Sequence, residues 1–162
     1  TLTEREKSFS DSLFLIETSY CLQNTTLQEA FEVYMSPEFR MDVMPRVSNF
    51  YNTSDGFCTT SDAVHGLILN LEYCAKNSVY QTTETILVHN ELRSRKAGES
   101  YQPMFYREEI LVFSTIPNGV GLYRATFTRS SDIGATGKYI LRNTVQSNQN
   151  GIQDQYKEWL QR

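Results

Sequence analysis

No run of about 20 apolar residues occurs anywhere in this chain, so no segment reads as a membrane-crossing helix. Positive charge is also scarce. Fifteen Lys and Arg stand against nineteen Asp and Glu, leaving a net charge of −4. Nucleic acid is held by concentrated positive surface, so a nucleic-acid partner is not expected. The one basic cluster, Arg93-Ser94-Arg95-Lys96, is short and falls where a solvated loop is expected. Cysteine is sparse and odd in number. Cys21, Cys58 and Cys74 lack metal-ligand spacing, which implies neither a disulfide framework nor a zinc site. Cys21 and Cys74 fall on apolar faces of expected helices and read as buried free thiols. Catalytic signatures are missing as well. No serine has a Gly-x-Ser-x-Gly setting, and Gly119-Val120-Gly121 closes a hairpin instead of opening a phosphate-binding helix. No cofactor and no metal is expected.

The chain opens with TLTEREKSFS, without an initiating Met or the apolar core of a secretory leader. It reads as a trimmed mature protein or a domain of a longer one. Free thiols favour a reducing compartment, so an intracellular site, cytoplasmic or nuclear, is expected. The alternative is a secreted domain, because Asn24-Thr25-Thr26 and Asn52-Thr53-Ser54 are formal glycosylation sequons.

What is present is aromatic and strand-rich in its second half. Ten Tyr and nine Phe accompany a single Trp, a composition suited to pleated, half-buried surfaces. Two apolar-rich runs, 110–116 and 120–127, flank Pro117-Asn118-Gly119. Asn-Gly tolerates the positive φ of a tight turn, so this is a long antiparallel hairpin. Alternation also predicts strands over 39–44, 79–93 and 138–146. Helical spacing of Phe9, Leu13, Ile16 and Tyr20 predicts a first helix over 3–23. Thr26 with Glu29 forms a capping box for a second helix, which Ser36-Pro37 ends. Thr59 with Asp62 opens a third helix reaching about residue 75, on the stripe Val64, Leu67, Ile68 and Leu71. Ile152, Tyr156, Trp159 and Leu160 predict a short C-terminal helix. The expected fold class is α+β: a curved antiparallel meander with about three helices of the N-terminal half on one face and a short C-terminal helix. All 162 residues form one domain, with a core of about 4–146 and a terminal helix of about 151–162.

This order of elements resembles the nuclear-transport-factor-2-like superfamily, the cone fold shared with polyketide cyclases and ketosteroid isomerases. The likeness rests on the helix pair running into 39–44, on SDAVHGLILNLEYC at 61–74, and on the four-strand meander. It is topological and carries no fingerprint motif. It implies a sheet wrapped on a first helix around a cavity, and a fold that hosts enzymes, carriers and interaction modules alike.

Two functional readings follow. The first is a non-catalytic interaction domain, homodimeric or heterodimeric, that docks a protein through the exposed face of its sheet. Phe113, Tyr123, Phe127, Val112 and Tyr139 would form that interface, because the meander carries large residues on both faces. The second is small-molecule binding, or lyase or isomerase chemistry, in the cavity. Its candidate groups are Asp42 on the first strand, His89 on the long strand, and Tyr20 and Tyr34 on the covering helices. His65 reads as a core-flanking residue with a local hydrogen bond.

Overall fold

The computed structural model describes residues 3–9, 13–43, 47–64, 67–96, 102–128, 139 and 154–161. In chain order these form β1 (Thr3–Phe9), β2 (Leu13–Gln23), α1 (Leu27–Met35), α2 (Pro37–Val43), β3 (Val47–Asn52) and β4 (Gly56–Val64). There follow β5 (Leu67–Gln81), β6 (Thr85–Lys96), β7 (Gln102–Ile116), β8 (Gly119–Thr128) and a terminal helix, α3, over 154–160. The eight described strands make one open antiparallel sheet in the order β1-β2-β8-β7-β6-β5-β4-β3. The fold class is the expected one: α+β, an antiparallel meander with helices packed on it and a short helix at the C-terminal end.

The central hairpin also stands where the sequence puts it. Asn118 takes a φ of 64°, and Ile116 pairs with Gly119 across the turn. Glycine at 119 has a second reason. A Cβ there would lie 2.0 Å from the carbonyl oxygen of Leu22, so its absence lets β2 close on β8. The capping box at Thr26 and Glu29 forms with both of its hydrogen bonds.

Several elements change type. Residues 3–23 are not a helix but β1 and β2, because the period-2 set Ile16, Thr18, Tyr20 and Leu22 is buried against β8, a partner about a hundred residues away. Residues 59–64 and 67–75 are likewise strand, the end of β4 and the start of β5. Phe39–Val43 is not strand but helix α2. Ser36-Pro37 ends α1 and also begins α2: the Ser36 hydroxyl accepts from the Phe39 amide at 3.1 Å, and proline suits the first helical position. The strand expected over 79–93 breaks at Thr82, whose hydroxyl accepts from the Thr85 amide and turns β5 back as β6. Residues 140–146 of the last expected strand lie outside the described residues, as does His65, and Tyr139 has helical backbone.

Cysteine usage is corrected too. Cys58 on β4 and Cys74 on β5 are directly opposed, and their sulfurs are joined in a disulfide. A helical reading of 59–75 hid that pairing. Cys21 is the free thiol, half-buried on β2 instead of in a helix.

The core lies between one face of β2, β8, β7 and β6 and the three helices. Phe113 packs edge-on to Phe31 (5.8 Å) and Tyr34 (5.6 Å). The ring of Tyr156 on α3 sits 4.9 Å from Phe39, and its hydroxyl donates to the Ala30 carbonyl. Fully burying such aromatic rings contributes about 1.5–3 kcal/mol each.

Candidate binding site on the helix face

Residues paired across antiparallel strands share a face, so the register maps the sheet. The rows nearest the strand ends that adjoin α1 are apolar. One joins Tyr20, Leu122, Phe113 and Ile86, and the next joins Leu22 to Val120. Helices α1, α2 and α3 gather over these rows.

Farther along the same face the chemistry changes. Thr126 on β8, Glu109 on β7, Asn90 on β6 and Asn77 on β5 are consecutive partners in a single row across four strands. Thr18 and Arg124 are partners one row closer to the helices. Thr18, Thr126, Asn90 and Glu109 are all buried. The charges are matched: the Arg124 guanidinium donates to one Glu109 oxygen from Nη2 at 2.6 Å and from Nε at 3.0 Å. Asn90 Nδ2 donates to the other oxygen at 3.3 Å. An ion pair this buried is stable only with such complete hydrogen bonding.

The neutral polar atoms around the pair are not matched. Thr18 Oγ1, Tyr20 Oη, Asn77 Oδ1, Asn90 Oδ1 and Thr126 Oγ1 are buried with no hydrogen-bond partner among the described residues. All five lie on the helix face, around one ion pair. A buried polar atom without a partner costs about 1–3 kcal/mol, so five in one patch call for a common reason. Burial also pushes the Tyr20 phenol well above its ordinary pKa, with Tyr34 adding to the rise and Arg124 opposing it. Tyr20 is therefore a neutral hydroxyl that can donate.

The sequence-derived candidates separate. Tyr20 and Tyr34 share the core, although Tyr20 is on β2 and not on a helix. Asp42 lies on α2 instead of a strand, is exposed, and accepts from Trp159 Nε1 at 3.0 Å. His89 is on the opposite face of the sheet, 3.9 Å from Glu108. The four do not form one site.

The interface candidates separate as well. Phe113 is wholly buried beneath α1, so no partner reaches it without unfolding the core. Tyr139 is 61% exposed and has helical backbone in place of the strand expected there. Val112, Tyr123 and Phe127 do share the face opposite the helices and are half-buried. Tyr123 there donates to Glu17 at 2.6 Å. A shallow hollow of about 270 Å³ lies on that side, lined by Ser19, Cys21, Val112, Ser114, Gly121 and Tyr123. It is open, and the Glu17 carboxylate beside it is held by Tyr123.

One trio, Cys58, Glu72 and Cys74, brings metal-ligand atoms within 4.8 Å of one another. Its sulfurs are bonded to each other, so they offer no thiolate. Sequence reasoning missed Glu109, Arg124, Asn90, Asn77, Thr18 and Thr126. The available signal was polar residues at inward positions of strands otherwise apolar on that side. Reading it required the register.

No family sequence model matches the chain, and no characterised protein sequence does either. Solved structures do match its shape. A conserved protein from Geobacillus kaustophilus superposes with a TM-score of 0.65 at 10% identity, covering 89% of this chain and 93% of that one. Human STARD10 gives 0.60 at 11% identity, covering 98% and 76%. StfQ, a di-domain ARO/CYC from the steffimycin biosynthetic pathway, gives 0.59 at 12% identity, covering 93% of this chain and 52% of StfQ, so the chain spans about half of that protein. At such identities the likeness is one of fold: this chain has the α+β architecture, helix-grip or cone-like, that these proteins have.

Proposed function

We propose that the protein binds an uncharged small molecule bearing hydroxyl or carbonyl groups, held against the polar row of the helix face. The observation that carries this reading is the set of five buried polar atoms around Glu109 and Arg124 that have no partner among the described residues. Among the described residues the charges of the site are paired with each other, which favours a neutral ligand over an ionic one. Threonine and tyrosine hydroxyls and asparagine oxygens supply both donors and acceptors to a neutral one. Apolar Leu111 and Val88 stand beside the row and suit the hydrocarbon part of such a molecule. The resemblance in fold to STARD10 and to a cyclase of a biosynthetic pathway supports the cavity reading over docking through the sheet. Within that reading a helix-grip arrangement is favoured over nuclear-transport-factor-2-like membership, because the helix pair follows β2 and does not lead the chain. The site supports binding better than turnover, since Asp42 and His89 are remote from Tyr20. The interaction reading retains Val112, Tyr123 and Phe127 alone.

The test pairs affinity with stability. Uncharged fluorescent probes, a sterol and a hydroxylated polycyclic aromatic, are titrated into the protein and into Thr18→Val and Thr126→Val. Removing a partnerless polar atom leaves the fold as stable or more so. Both variants therefore keep or raise their melting temperature while losing probe affinity tenfold or more. Equal affinity in all three proteins, or binding by none, would overturn the reading.

A further inference from the structure

We infer that Asn52, with Asn24 as a second acceptor, is an N-glycosylation site, and that the chain folds in an oxidising secretory compartment. Three observations meet here, and none of them depends on the ligand proposal.

The first is placement. Asn52 ends β3 and begins the tip that returns as β4, and residues 52–55 are all exposed. Thr53 donates its amide to Gly56, which closes the tip and leaves Ser54, the sequon hydroxyl, at the surface. Asn24 is exposed in the turn between β2 and α1, with a φ of 57°. The amide of Asn24 is anchored on the Asn118 carbonyl, so its side chain stands off the sheet end and not within the core.

The second is direction. The register puts the end of β2, the 117–118 turn, the 82–84 turn and the 53–55 tip at one end of the sheet. Both sequon asparagines therefore crown the same end. Asn52 is the last residue of β3, an edge strand of the sheet, so sugar there extends from the margin of the sheet into solvent.

The third is redox state. The disulfide joins β4, the strand that leaves the Asn52 tip, to β5. Disulfides persist in oxidising compartments, which are also where sequons meet the transferase. The bridge forms as two thiols pass two electrons and two protons to an exchanging disulfide. Glycosylation needs a polyprenyl-diphosphate-linked oligosaccharide. The asparagine Nδ2 bonds to the anomeric carbon as the bond to the diphosphate breaks, and the amide loses one proton to the departing diphosphate. The two sequons differ in one respect. Thr26, the hydroxyl partner of Asn24, is taken up by the capping box once α1 forms. Asn24 must therefore be modified before that helix closes, whereas Ser54 stays accessible.

The experiment uses the full chain. The protein is isolated from its native cells, alkylated without reduction, treated with peptide N-glycosidase in heavy-oxygen water and digested for mass spectrometry. The expected result is labelled aspartate at position 52 and an intact Cys58–Cys74 bridge. Unmodified Asn52, or alkylated Cys58 and Cys74, would overturn the inference. In a eukaryotic secretory host, Asn52→Gln and Ser54→Ala should each remove the same single step of glycosidase-sensitive gel mobility. A secreted, bridged protein with no such step would also overturn it.

Discussion

Replacing Arg124 with methionine tests whether the ion pair of the helix face is sealed from water. The guanidinium keeps 16% of its side-chain surface and Glu109 keeps 8%, with the atoms 2.6 Å apart. At an effective dielectric near 20, that separation gives a gross attraction of about 6 kcal/mol. Desolvation consumes most of it, so the pair's net worth is small. Removing one partner is another matter. Arg124→Met leaves the Glu109 carboxylate buried with Asn90 Nδ2 at 3.3 Å as its remaining described partner. The expected loss is about 3–5 kcal/mol, or roughly 6–20 °C in melting temperature for a chain of this length. Methionine retains most of the arginine stem, so packing contributes little to that loss. Removing both charges, in Glu109→Leu/Arg124→Met, should restore stability to within about 1 kcal/mol of the parent or raise it. Urea unfolding of the two single variants and the double variant measures all three terms. Two single losses below about 1 kcal/mol would refute the reasoning, because the pair would then behave as a solvated surface bridge.

The capping box makes the second prediction. Hydrogen bonds from the Thr26 backbone and side chain hold the Glu29 carboxyl below its ordinary pKa. Its stabilising effect is therefore complete above the ordinary carboxylate value and is lost as pH falls through the lowered folded one. Glu29→Gln should lower the melting temperature at pH 7 and show a smaller acid-dependent loss between pH 5 and 3; equal acid slopes in parent and variant would count against it. At Gly56 an added Cβ would stand 1.8 Å from the Ala75 carbonyl oxygen, so Gly56→Ala should cost about 1–3 kcal/mol or more in chemical denaturation, with β4 and β5 losing amide-exchange protection first. The disulfide spans a separation of 16 residues, and Cys58→Ser/Cys74→Ser should lower unfolding free energy by about 3 kcal/mol, read by urea titration under non-reducing conditions.

Legibility in the sequence followed locality. The turn at Asn118 and the box at Thr26 are decided by neighbours within four residues, and both read correctly. Residues 3–23 failed because Ile16 and Tyr20 belong to a helical stripe and equally to a strand face. What decides between them is Leu122 and Thr126, far along the chain. Ser36-Pro37 was legible as a stop and illegible as a start, since the start is a hydroxyl bond to Phe39 that sequence does not display. Thr82 turned a strand without glycine or proline, through its own hydroxyl. The polar row stayed hidden for the same reason as β2. Thr126, Glu109, Asn90 and Asn77 are unremarkable singly and become neighbours once four strands are in register.

That same dependence governs how the chain is made. Tyr20 meets Leu122, so the second strand synthesised is closed by the eighth. Closing a loop of about a hundred residues carries an entropic cost of about 4 kcal/mol before any contact offsets it. During synthesis Ile16, Tyr20 and Leu22 emerge early and wait, with both edges of β2 open except to β1. A nascent chain ending before residue 119 has every described strand of the sheet but β8, the one that joins β2 to β7. Completion of β8 is thus the event that commits the molecule to its fold, and the interval before it is when a chaperone would be needed.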